Sequence, residues 1–177
     1  MKRKFWNSDK IVSFSAIFIS IATLYITINQ YNATIEQQRL SVLPYLTGIN
    51  FASGTPDFAY VIENNGIGPA FIESVKVTYQ GKTYEGDLYE FMVSNFRSEV
   101  DSLPATIHSN IFKGMMIPAG AKILHLQVNG SQKDTDRLMK LLRKLNEERM
   151  DFEIIYSSIY KERWRLNLNE EVPQKLD

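Results

Sequence analysis

A chain of 177 residues without a single cysteine excludes disulfides, thiol nucleophiles and Cys-ligated zinc, and its only histidines are His108 and His125. The formal net charge is zero, but residues 1–10 hold four Lys and Arg against one Asp, a net +3 that the rest of the chain balances with −3. That weakly acidic remainder gives no electrostatic reason to expect nucleic acid, and its length suits one domain of about 130 residues that closes a core without staples.

Residues 11–28 read IVSFSAIFISIATLYITI, and no charge follows until Glu36. As a helix this run spans roughly 27 Å, close to the hydrocarbon thickness of a bilayer, and a lone apolar segment crosses lipid only as a helix. Lys2, Arg3, Lys4 and Lys10 precede it against the single acid Asp9, which holds the N-terminus in the cytoplasm and places the rest outside the cytoplasmic membrane. A second reading is a cleavable signal peptide ending at Ser20-Ile21-Ala22; against it, residues 23–28 continue the apolar run where a signal normally turns polar. The uncleaved anchor is the favoured state.

Residues 29–40 are polar, free of Gly and Pro and rich in helix formers, so the helix continues as a short stalk until Pro44 ends it. The stalk reads as a spacer rather than a dimerisation seam: its heptads are too few, and Ala16-x-x-x-Ser20 is a minimal packing motif.

Strands dominate the chain beyond the stalk. Phe58, Tyr60 and Ile62 alternate with Asp57, Ala59 and Glu63, and Val75, Val77 and Tyr79 alternate with Lys76, Thr78 and Gln80. Gln80-Gly81-Lys82 reads as a tight hairpin turn into Thr83-Tyr84-Glu85. The alternation returns with Leu124, Leu126 and Val128 against Lys122, His125 and Gln127, which sets His125 on a wet face, and with Trp164, Leu166 and Leu168 against Arg163, Arg165 and Asn167. With 45–51, 106–112 and the Phe152, Ile154, Tyr156 segment, about seven strands result, the number of a small antiparallel sandwich.

Two helices interrupt them. Ser131 to Asp134 resembles a capping box ahead of Leu138, Leu141, Leu142 and Leu145, and Leu88, Phe91, Met92 and Phe96 mark a second helix between 87 and 100. The predicted organisation is a cytoplasmic N-terminus (1–10), a transmembrane helix (11–28), a helical stalk (29–43), an immunoglobulin-like antiparallel β-sandwich with two inserted helices (44–168) and a frayed acidic tail (169–177).

The most specific local pattern is Ile62-Glu63-Asn64-Asn65-Gly66-Ile67-Gly68-Pro69-Ala70. As a phosphate cradle it lacks the Lys-Ser/Thr, the following helix and the third glycine of the known fingerprints. As a structural turn it uses glycine for left-handed or bulged geometry, with Gly66 or Gly68 expected at positive φ, Pro69 to stiffen the bend and Asn64 or Asn65 to hydrogen-bond it. The segment resembles the Asn-x-Gly-x-Gly-Pro-Ala turn of uncharacterised, membrane-anchored bacterial β-sandwich proteins and, more distantly, the Asn-x-Gly strand ends of bacterial cell-adhesion-related sandwich modules. Ile117-Pro118-Ala119-Gly120 and the run from Ile155 to Tyr160 ahead of Trp164 look like further parts of that pattern, which is departed from at Ser158 and Lys161, where Asp and Gly would stand. The resemblance implies architecture and carries over no catalytic or ligand residue.

No enzyme can be argued. Neither histidine has a ligand at metal spacing, and Asp151 and Glu153 share a strand face as solvating charges do. The stripe Arg137, Lys140, Lys144 is diluted by Asp136, Glu147 and Glu148, and Tyr156, Tyr160 and Trp164 read either as a contact patch or as core. No cofactor is implied. The partners expected are the lipid bilayer, an unidentified protein and, in one reading, a second copy of the chain. The function expected is an outward-facing binding or assembly module; the alternative is a cytoplasm-facing sensor or effector, such as a component of a bacterial defence system.

Overall fold

The computed structural model describes residues 8–104, 106–167, 170 and 172–176. Lys2, Arg3 and Lys4 of the charge argument, Leu168, and positions 169, 171 and 177 of the tail lie outside the described residues. The chain divides into a helical unit that ends at Ser41 and a unit that begins at Val42.

The first unit is one helix, α1 (Ser8–Leu40), long and apolar enough to cross a membrane. It runs unbroken through the polar stretch 29–40, as expected from residues that favour helix, and ends shortly before Pro44.

The second unit is mainly β, with two antiparallel sheets. One contains β1 (Leu46–Phe51), β2 (Ala59–Asn64), β5 (Thr106–His108) and β7 (Lys122–Val128) in the order β1-β2-β7-β5. The other contains β3 (Ala70–Tyr79), β4 (Lys82–Glu85), β6 (Met116–Ile117), β8 (Asp151–Ser157), β9 (Arg163–Asn167) and β10 (Gln174–Leu176) in the order β10-β9-β8-β3-β4, with β6 also on β3. The tail expected to fray therefore contains a strand, because Gln174–Leu176 finds the open edge of β9. The β3–β4 turn is the expected hairpin: Gln80 (φ 49°) and Gly81 (φ 76°) both take the left-handed conformation that a two-residue loop of this twist requires.

The expected second helix is broken in two, α2 (Leu88–Asn95) and α3 (Arg97–Asp101), because Phe96 leaves helical geometry at φ −133° and ψ 40°. The helix α4 (Gln132–Glu147) starts where Asp134 Oδ2 accepts from Ser131 N (3.0 Å) and Ser131 Oγ (2.7 Å). Leu138 and Leu145 are fully buried and Leu141 nearly so, with Leu142 packed beside them. Each full burial contributes roughly 1.5–3 kcal/mol.

A single hydrophobic cluster joins Tyr60, Ile62 and Leu126 of the first sheet to Val77, Phe152 and Ile154 of the second and to the α4 leucines. One β-bulge decides which side chains of β7 reach it. Tyr60 opposes Leu126 while Val61 opposes Leu124, so His125 is the extra residue between them. Past this point the parity of the strand reverses, since a one-residue insertion moves every following side chain to the other face. Ile123, not Leu124, therefore packs on the core, and His125 is fully buried rather than wet.

Candidate functional site

The turn around Asn64 is built as a knot. Asn64 is fully buried at the end of β2. Its Oδ1 accepts from the N–H of Tyr45 (3.1 Å) and of Gly66 (3.1 Å). Its Nδ2 donates to the carbonyls of Gly68 (2.9 Å), Ile117 (3.1 Å) and Pro118 (3.2 Å). Its own backbone closes on the other arm, donating to Ala121 O (3.0 Å) and accepting from Gly120 N (2.8 Å). One side chain thus ties the segment entering β1, the glycine turn and the Ile117-Pro118-Ala119-Gly120 bend. Two of the motifs singled out in the sequence are halves of one structure.

Gly66 and Gly68 do not take positive φ, contrary to the expected bend geometry. They are needed for close approach. A Cβ on Gly66 would collide with the carbonyl oxygen of Leu43 and the amide of Tyr45, and one on Gly68 with the carbonyl of Val42, all backbone atoms. The amides here are also engaged, Gly66 N to Asn64 Oδ1 and Ile67 N and Gly68 N to Leu43 O (3.0 and 3.2 Å). A phosphate would find no free backbone N–H among residues 65–68, and Pro69, half-buried, leads straight into buried Ala70.

Tyr156, Tyr160 and Trp164 do not form one exposed patch. Tyr156 and Trp164 are buried and stacked, centroids 5.8 Å apart, and the Tyr156 hydroxyl accepts from Leu46 N (3.2 Å). Tyr160 alone is exposed, on the β8–β9 hairpin. There Ser158 Oγ accepts from Tyr160 N (3.1 Å), the bond an Asp would make, and Lys161 sits at φ 64°, where a Gly would be free of strain. Lys161→Gly is therefore expected to raise stability, relieving about 1 kcal/mol, with thermal melting as the check; an unchanged or lower melting temperature would mean that the turn is not strained at Lys161.

His125 donates from Nδ1 to Ser109 O (3.1 Å), stacks on Phe152 at 5.4 Å and leaves a buried Nε2 without a partner. Two further side chains pin the next residues of the same loop: Asp87, fully buried, accepts from Ile111 N (3.2 Å), and Glu90 accepts from Asn110 Nδ2 (3.3 Å). Asp87 also caps α2, accepting from Glu90 N (2.9 Å). The sequence signal for this cap is Asp87-x-x-Glu90 ahead of an apolar run, a capping-box pattern. His108 instead lies exposed, stacked on Tyr89 at 3.6 Å.

Burial holds the His125 imidazole below its ordinary pKa, against the opposing pull of the Asp87 carboxylate. The unfolded chain therefore binds this proton first, so the domain has its full stability above the unfolded value near 6.5 and loses up to about 1.4 kcal/mol for each pH unit below it. Melting temperatures from pH 8 to pH 5 should fall more steeply for the parent than for His125→Phe; parallel profiles would remove the imidazole from the account.

The basic stripe of α4 lines an open groove of about 840 Å³ with Leu103, Met139 and Arg143. Arg137 is engaged by Asp134 (3.2 Å) and Ser102 O (3.3 Å), Lys144 lies over the Phe96 ring at 5.5 Å, and Glu99, Asp136 and Glu147 share the walls. Those acids dilute the charge, as the sequence suggests. Glu153 faces Lys76 at 4.0 Å rather than a catalytic partner, and among the described residues no three acidic or histidine side chains gather as metal ligands. No family model, no curated protein and no solved structure matches the chain.

Proposed function

We propose that the protein is a single-pass membrane protein of the bacterial envelope that displays an immunoglobulin-like β-sandwich outside the cytoplasmic membrane as a binding or assembly module. The observation that carries this reading is α1 itself. Phe14, Ile17, Phe18, Ile21 and Leu24 are all more than half exposed, and none of the helix's described residues is buried. Such a surface is costly in water and favoured in an apolar solvent. Three of its hydroxyls, Ser13, Ser20 and Thr27, each donate to the carbonyl four residues earlier at 2.8–2.9 Å, which suits a helix in lipid.

The strand order supports the sandwich reading. Lettering β1, β2, β3, β4, β5, β7, β8 and β9 as A, B, C, C′, D, E, F and G gives A-B-E-D in one sheet and G-F-C-C′ in the other, the immunoglobulin arrangement. The helices then fill the C′–D and E–F connections, and β6 and β10 are additions.

Orientation rests on Lys2, Arg3, Lys4 and Lys10. The full chain should stay with membranes through carbonate washing, a C-terminal alkaline phosphatase fusion should be active, and a C-terminal green fluorescent fusion exported by the same route should be dark. The reverse pattern would place the domain in the cytoplasm and favour a sensor or effector.

A further inference from the structure

Sheet edges offer unpaired N–H and C=O groups to any passing strand, and folded proteins blunt them with charge, proline or shortness. Most edge strands here are blunted in that way. The three-residue β5 follows Pro104, and β10, also three residues, follows Pro173 and centres on Lys175. Lys82 and Glu85 close the ends of β4, and β6 has two residues before Pro118. β1 carries none of these devices: its six residues, LTGINF, hold no charge and no proline, and among the described residues no strand is hydrogen-bonded to its outer edge.

The backbone groups left over can be assigned. Tyr45 turns both of its groups toward β2, donating to Asn64 Oδ1 and accepting from Asn65 N (2.8 Å), whereas Leu46 turns its N–H away, to the Tyr156 hydroxyl. By the alternation of an antiparallel ladder, Gly48 and Asn50 then direct N–H and C=O outward from the sheet edge.

The side chains beside that edge form an apolar field. Gly48 and Asn50 oppose Ile62 and Tyr60 on the core side, so the residues between them lie on the outer face. Ile49, Val61 and Leu124 make one row across three strands, and Phe51, Ala59, Gln127 and Ile107 make the next. Ile49 is 39% exposed, Phe51 62% and Ile107 44%. The charges of the adjoining row, Glu63 and Lys122, neutralise each other at 2.9 Å.

We propose that the outer edge of β1 pairs antiparallel with β1 of a second copy of the chain, about a two-fold axis at Ile49. Gly48 then exchanges two hydrogen bonds with Asn50 of the partner subunit and Asn50 two with Gly48 of the partner subunit, while Ile49 meets its own counterpart and Phe51 meets Thr47 of the partner subunit. A neutral strand beside a neutral face has no counter-charge for an acidic or basic segment, and self-pairing sets no like charges against each other. Six residues bury far less than the roughly 800 Å² a side of a stable interface, so the contact is weak between free domains. Confinement of both copies to one membrane supplies the missing concentration; on this point the proposal rests on the anchored reading above.

The test uses the full chain in its own membranes. With no native cysteine, each single-cysteine variant reports only on itself. The pair flanking the axis is not hydrogen-bonded to itself, which brings its Cα atoms to about 4.5 Å, within disulfide range. Under mild oxidation of open membrane sheets, Ile49→Cys should give disulfide-linked dimer at least about tenfold faster than Thr83→Cys on β4. Adding Asn50→Pro to Ile49→Cys removes one outward N–H and leaves the ladder to β2 intact, and should cut the rate several-fold, with protease resistance as the fold check. Equal rates at Ile49→Cys and Thr83→Cys, or no dimer at Ile49→Cys, would overturn the proposal whatever Asn50→Pro does. Open sheets admit oxidant to both membrane faces, so a domain facing the cytoplasm would still cross-link. Carbonate washing of the same sheets reads failure of the anchor separately.

Discussion

Asn64→Asp should melt lower than Asn64→Ala at pH 7, although aspartate is the nearer match in shape. Alanine leaves the amides of Tyr45 and Gly66 and the carbonyls of Gly68, Ile117 and Pro118 without their partner in a buried site. The expected cost is roughly 3 to 5 kcal/mol, or about 10 to 20 °C in a domain of this size. Aspartate keeps the two bonds to Oδ1 but points a second oxygen, charged at pH 7, at three carbonyls. Burial and that repulsion raise its folded pKa, so the stability of this variant is present below the unfolded value and lost as pH rises through the folded one. Acidification should therefore bring Asn64→Asp up toward or past Asn64→Ala, as a protonated carboxyl can donate where Nδ2 did. If Asn64→Asp melts with the parent at pH 7, Asn64 is not the knot of this turn.

Gly68→Ala should be nearly as severe, and for a different reason. The atoms that a Cβ would strike belong to the backbone of Val42, whose Cα lies 2.7 Å from the Cβ position, and a backbone cannot swing aside as a side chain can. Gly66→Ala meets the segment 43–45 in the same way. Relief requires the entering chain to move off the turn, giving up the bonds of Ile67 and Gly68 to Leu43 O, a loss on the order of 3 to 5 kcal/mol. Gly81 is the control. It has positive φ (76°) and open space around its Cβ position, so Gly81→Ala should cost only about 1 kcal/mol. Thermal melts of the three variants rank them, and a Gly68→Ala protein that melts no lower than Gly81→Ala would dismiss close approach as the reason for the glycine.

The residues that the sequence made legible are those whose environment is set by near neighbours. Phe58, Tyr60 and Ile62, and Val75 and Val77, are buried as their period of two requires, and Leu138, Leu141 and Leu145 as a helical stripe requires. The apolar run 11–28 determines by itself a helix able to cross a membrane, because helix bonds are local and the run's length is a count of residues. The hairpin at Gln80-Gly81 is equally local.

What only the tertiary structure decided depends on partners far along the chain. His125 turns inward because β7 carries an extra residue opposite Tyr60 and Val61, some sixty positions earlier, and alternation within one strand cannot register a mismatch with another. Gly66 and Gly68 are fixed by a backbone more than twenty residues upstream, so the sequence indicates that glycine is needed but not whether φ or space requires it. Tyr156 and Trp164 are strand residues in either reading, and the packing of the two sheets puts them in the core instead of on a patch. Gln174–Leu176 becomes a strand only because β9 offers it an edge. In each case the deciding atom belongs to a segment that folding brings near, and its position is a property of the assembled sheets.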